Sequence, residues 1–133
     1  MNLTLGNDIA EVTRLCEAIE SFCAERNLST RLCHDLLLIL DELVTNVIVH
    51  GFSTGVGGRI QVRFELREDN ILVEVADDAP AFDPLQKSTP DVSASLEERS
   101  IGGLGIHLIR QFSQYMTYCR KDDRNIIELS LKR

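Results

Sequence analysis

The chain has 133 residues, enough for one domain with its own core, and a single domain over residues 1–133 is expected. Hydrophobic residues make up 44% and aromatics only 5%, so the chain reads as globular, with a core built mainly from Leu, Ile and Val. Asp plus Glu number 21 against 14 Lys plus Arg, a net charge of −7, which argues against a general nucleic-acid binder and against docking on an anionic membrane.

No segment reaches the ~18 apolar residues that a bilayer-spanning helix needs. No secretory leader is visible, and Cys16, Cys23, Cys33 and Cys119 form no CxxC pair. The expectation is a cytoplasmic protein with reduced, partly buried thiols and no zinc site.

In chain order, residues 2–5 read as a short edge strand, broken by Gly6, Asn7 and Asp8. Asp8 and Glu11 have capping-box spacing, and Ile9, Val12, Leu15, Ile19 and Phe22 then form one helical stripe. Residues 27–29 punctuate, and a second helix is expected from Thr30 to His50, with Gly51 as its stop. Residues 59–66 (RIQVRFEL) and 71–76 (ILVEVA) alternate like the strands of a hairpin. Residues 83–101, rich in Ser and Pro, show no period and read as a functional lid. A third helix is expected from about residue 103 to Gln114, then strands over 116–121 and 126–132 around a turn at 122–125. Helices and antiparallel strands grouped in this way predict an α+β fold, an antiparallel sheet with helices on one face.

Three clusters carry possible chemistry. Glu42, Asn46 and His50 recur every four residues, a drift of about 40° per step, so they share one helix face. Such a stripe either faces solvent or lines a wet cavity. In a cavity, Asn46 could offer an amide oxygen to a hard cation such as Mg²⁺, and Glu42 could take a proton from an attacking hydroxyl. His50 reads first as a hydrogen bonder at the helix end. Residues 77–84 (DDAPAFDP) end a strand with carboxylates and small residues, either a polar turn or a carboxylate placed for a ligand amine. Gly102, Gly103 and Gly105 open a helix and would expose backbone N–H groups to phosphate oxygens, although neither GxxxxGK[ST] nor GxGxxG is satisfied.

Residues 42–51 (ELVTNVIVHG) resemble the N box of the GHKL ATPases, residues 77–84 their first glycine box, and residues 102–106 (GGLGI) their second. The forms NxxxHG, FDP and GGLGI in so short a chain are most similar to the bacterial anti-sigma-factor serine/threonine kinases of the RsbW and SpoIIAB type. The resemblance implies a two-layer α/β sandwich with a mixed, mostly antiparallel sheet, binding ATP between helices and lid. It implies Glu42 as general base, Asn46 as Mg²⁺ ligand and Asp77 as acceptor for the adenine amino group. Asn46, His50, Asp77, Ala79, Ala81, Phe82, Arg99, Gly102, Gly103, Leu104, Gly105 and Ile106 make up the implied ATP-binding set. Arg99 is a candidate phosphate contact, or else a solvated lid charge. The implied partners are a STAS-domain anti-sigma antagonist as phosphoryl acceptor, a sigma factor or other regulator, and a second copy of the chain. Ala79 and Ala81 stand where the family usually has glycine, which motivates an alternative: an anti-sigma or adaptor module that binds nucleotide without transferring phosphate, or binds none. A detached histidine kinase catalytic domain is a third reading, and the chain has no room for the phospho-accepting helix pair it needs.

Overall fold

The period-two runs become strands that turn one row of apolar residues to the core: 60, 62 and 64, then 71, 73 and 75, then 127, 129 and 131. The computed structural model describes residues 1–52, 58–83 and 109–133. In it, β1 (Asn2–Gly6), α1 (Glu11–Glu25) and α2 (Thr30–Asn46) precede β2 (Arg59–Leu66), β3 (Asn70–Asp77), β4 (Tyr115–Lys121) and β5 (Arg124–Lys132). The strands form one five-stranded sheet in the order β1-β2-β3-β5-β4. All four pairings are antiparallel, so among the described residues the sheet is not mixed. β1 is an edge strand, as expected.

Register aligns the buried rows. Val62 faces Val75 and Phe64 faces Val73 across β2 and β3, while Val75 faces Ile127 and Val73 faces Leu129 across β3 and β5. These rows pack against Leu15, Ile19 and Phe22 of α1 and Leu36, Ile39, Leu40 and Leu43 of α2. Phe22 and Phe64 stack at 5.2 Å between centroids, the one aromatic pair among the described residues, in a core otherwise dominated by Leu, Ile and Val. Among the described residues, no helix is long and apolar enough to cross a membrane.

Several local expectations need correction. The capping box does not form: Asp8 Oδ1 accepts from Ala10 N at 2.9 Å, and Glu11 Oε1 accepts from Gly6 N at 3.1 Å. A tight turn, with Glu11 N donating to Asp8 O, starts α1 two residues later than a cap at Asp8 would, and leaves Ile9 exposed. The true side-chain cap is at α2, where Ser29 accepts from Leu32 N at 3.2 Å. The second helix does not stay α-helical to His50. It ends at Asn46 and continues as a π-turn over Val47–Gly51, in which Phe52 N reaches back to Val47 O. In the third helix, residues 109–112 are helical, and its expected start lies outside the described residues. It stops before Gln114, whose N–H already donates to Ser130 O of β5 at 2.7 Å. The four cysteines are free, but Cys119 is exposed rather than partly buried.

Leu40 is fully buried in the middle of α2. Leu40→Ala is expected to lower the unfolding free energy by about 2–5 kcal/mol, read as a lower urea midpoint with an unchanged slope.

Candidate functional site

α2 is both a core pillar and the carrier of the first cluster. Its apolar face holds Leu36, Ile39, Leu40, Leu43 and Val44 against the sheet, which fixes the direction of the polar positions between them. At its last turn Asn46 is buried, 4% exposed, and donates from Nδ2 to Glu42 Oε1 at 3.2 Å. That bond orients the amide and leaves Asn46 Oδ1 with no donor among the described residues. Glu42 is half-buried. His50 does not join the pair: it lies in the π-turn and is exposed, because the change of helical pitch after Asn46 breaks the four-residue phase.

The second cluster lies at the end of β3. Residues 71, 73 and 75 face the core, and Asp77 is the next position of the same row, 3% exposed. Its neighbour Asp78 points outward, where its Oδ1 accepts from Arg59 N at 2.9 Å. The two adjacent carboxylates are thus separated by the pleat into a buried one and an exposed one. Burial pushes the Asp77 carboxyl above its ordinary range, partly offset by hydrogen bonds from Asn125 and Ala79 N. Asp78 adds to the rise and the Arg120 guanidinium opposes it. Ala79 N and Asn125 Nδ2 both donate to Asp77 Oδ1, at 3.0 and 2.9 Å. No hydrogen bond falls on Oδ2 among the described residues.

Glycine and alanine join the two clusters. A Cβ added to Gly51 would lie 3.2 Å from the Ala79 methyl, tighter than ordinary packing, so the end of the π-turn and the loop after β3 approach closely because residue 51 has no side chain. Ala79 is buried in that contact and Ala81 is exposed. Neither is among the described non-glycine residues with positive φ, which are Asn27, Asp122 and Asp123, so neither alanine strains its backbone.

Asn125, Tyr118 and Arg120 were not singled out from the sequence; Asn125 and Arg120 bind the loop after β3, and Tyr118 binds Asn125. Asn125 sits opposite Asp77 in the β3–β5 register and is 3% exposed. Its Oδ1 accepts from Phe82 N at 3.2 Å and from the Tyr118 hydroxyl at 2.6 Å. Arg120 Nη1 donates to Ala79 O at 2.7 Å. One signal was available for Asn125. Counting back by twos from Leu131, Leu129 and Ile127 places residue 125 on the buried face, although the sequence reading left it in a turn. Arg99, Gly102, Gly103, Leu104, Gly105 and Ile106, with all of the expected lid except Asp83, lie outside the described residues.

The arrangement offers a buried carboxylate with one oxygen that takes no hydrogen bond among the described residues, a small-residue loop beside it, and a carboxamide–carboxylate pair on the adjoining helix end. Comparisons with known proteins bear on the fold and family of the chain. A family model described as "Histidine kinase-like ATPase domain" matches residues 5–131. The chain is 31% identical over 102 residues to the serine/threonine-protein kinase BtrW of Bordetella bronchiseptica, covering 77% of this chain and 72% of that protein. It is 35% identical over 81 residues to the serine-protein kinase RsbW of Bacillus subtilis, covering 56% of this chain and 49% of that protein. It is 22% identical over 95 residues to an anti-sigma F factor of Clostridium beijerinckii, covering 71% of this chain and 66% of that protein. This chain thus spans only about half the length of the Bacillus kinase. Among solved structures, the histidine kinase domain of the Erythrobacter litoralis EL346 blue-light activated histidine kinase aligns with a TM-score of 0.59 at 17% identity, over 92% of this chain and 59% of that one. The Acinetobacter baumannii histidine kinase AdeS aligns with a TM-score of 0.52 at 12% identity, over 98% of this chain and 67% of that one. The sheet order, the helices on one face and the match over residues 5–131 agree, and the chain belongs to the histidine kinase-like ATPase domain family.

Proposed function

We propose that the protein is an ATP-dependent serine/threonine protein kinase of the anti-sigma type, working in a partner switch. The observation that carries this reading is the pairing of Glu42 with Asn46 at one helix end, joined through the Gly51–Ala79 contact to the buried Asp77. The names of the relatives support it: two are serine or serine/threonine-protein kinases and one is an anti-sigma factor. The phosphoryl acceptor is a STAS-domain antagonist, and the second partner is a sigma factor or another regulator. A second copy of the chain completes the assembly, and the setting is cytoplasmic.

Asp77, ionised, accepts a hydrogen bond from the adenine amino group at its open oxygen. Asn46 suits Mg²⁺, because its amide oxygen carries no donor among the described residues and Mg²⁺ takes few protein oxygens beside substrate phosphates. Bound there, Mg²⁺ supplies charge neutralisation for the phosphates. Glu42 orients Asn46 through one carboxylate oxygen and receives the proton of the partner's hydroxyl on the other. Arg99 and the glycines at 102, 103 and 105, with Leu104 and Ile106, are proposed for the phosphates, and Phe82 and Ala81 for the adenine side. His50, exposed in the π-turn, is left at the rim of this set. Ala79 and Ala81 have no positive φ, so a β-carbon is compatible with the backbone at both positions, which supports the nucleotide-binding reading.

Two outcomes are expected. In a phosphoryl-transfer assay with a STAS-domain protein, Glu42→Ala lowers the rate by about 10²- to 10⁴-fold and keeps the thermal shift with Mg²⁺ and ATP, whereas Asn46→Ala loses that shift. Wild-type protein that binds ATP and transfers no phosphate would overturn the kinase reading in favour of the non-catalytic module. The second outcome follows from the raised pKa of Asp77. The folded state holds the Asp77 proton more tightly than the unfolded chain does. Its contribution to stability is therefore full below the ordinary carboxylate range and is lost as pH rises through the folded value. Asp77→Asn keeps an acceptor for Ala79 N and removes the buried charge. At neutral pH it should melt no lower than wild type, while its ATP-dependent shift disappears.

A further inference from the structure

Asn125 uses its whole hydrogen-bonding capacity on the protein. Nδ2 donates to Asp77 Oδ1 at 2.9 Å, to Pro80 O at 3.0 Å and, more weakly, to Ala79 O at 3.3 Å. Oδ1 accepts from the Tyr118 hydroxyl and from Phe82 N. A carboxamide has two N–H groups and two lone pairs, so nothing remains for a ligand. The residue is nevertheless bonded to four positions of the 77–82 segment and is 3% exposed. Because Asn125 and Ala79 N both occupy Asp77 Oδ1, the carboxylate cannot turn without breaking two bonds, and Oδ2 is the oxygen left over among the described residues.

We propose that Asn125, tied in place by Tyr118, is the positioning residue for base selection: it holds Asp77 so that Oδ2 meets the exocyclic amine of a 6-aminopurine. The proposal rests on the reading of Asp77 as the adenine acceptor. A carboxylate fixed in this way rejects a 6-oxopurine, which would bring an oxygen against an acceptor that cannot swing aside. A site built around one hydrogen bond discriminates strongly because the wrong ligand leaves its buried polar group unpaired. Without Asn125 the carboxylate gains freedom to turn, and selection weakens even where the pocket survives. Asn125 touches no ligand; it acts through Asp77 and through the backbone of residues 79–82.

The test compares dissociation constants for ATP and ITP, measured by calorimetry with Mg²⁺, in wild type and Asn125→Ala. Far-UV circular dichroism checks folding, and Asn125→Ser carries the same comparison if the alanine variant does not fold. Wild type should prefer ATP. The variant should lose about tenfold in ATP affinity and little in ITP affinity, so that the ITP-to-ATP ratio falls by about the same factor. A ratio unchanged from wild type overturns the proposal, whether both affinities stay the same or both fall together, since a purely structural role weakens the two nucleotides alike. Wild-type protein that fails to prefer ATP overturns the reading of Asp77 itself and the proposal with it.

Discussion

A carboxylate at the end of a row of core residues is the constraint on which the site depends. Residues 71, 73 and 75 carry the buried face of β3, and the same alternation brings Asp77 to a position that is 3% exposed. An isolated charge there is strongly unfavourable, so its neighbours must compensate. They do so from two sides: Ala79 N from the loop that follows, and Asn125 from the facing strand. Asn125 then extends the same bonding to Pro80, Phe82 and Tyr118, and Arg120 fastens Ala79 O. The loop after β3 is thereby shaped by what the buried carboxylate needs.

The helix end obeys a related logic. α2 must present its apolar residues to the sheet, which leaves Glu42 and Asn46 as a hydrogen-bonded pair on its remaining face. Beyond Asn46 the chain widens into a π-turn, the kind of local departure from α-geometry that recurs at functional sites. The turn ends on Gly51, whose bare Cα accepts the Ala79 methyl at close range. The packing of two small residues thus couples the helix end to the loop. It also gives Ala79 a place at a position where the resemblance leads one to expect glycine.

Much of this was legible in the sequence, for reasons that are local. RIQVRFEL alternates so regularly that β2 begins and ends where the pattern does. The apolar spacing of α2 and the Ser29 punctuation mark its start at Thr30. Asp77 stood out as a carboxylate closing a β-run. What escaped was non-local or a matter of pitch. Asn125 matters because of its register partner on β3, and single-strand alternation does not reveal which strand will lie alongside. His50 was grouped with Asn46 on the assumption of a constant helical period, which the π-turn removes. The capping box failed because a short turn satisfied the Glu11 N–H first.

The central claim, that Asp77 Oδ2 receives the adenine amine while Asn46 faces the phosphate end, is tested most directly by a crystal structure with ADP and Mg²⁺. The account predicts the 6-amino nitrogen within hydrogen-bond distance of Oδ2, the Asn125 bonds to residues 77–82 unchanged, and Asn46 Oδ1 turned toward the metal. A base lying away from Asp77, or an Asn125 amide rotated to contact it, would contradict the account.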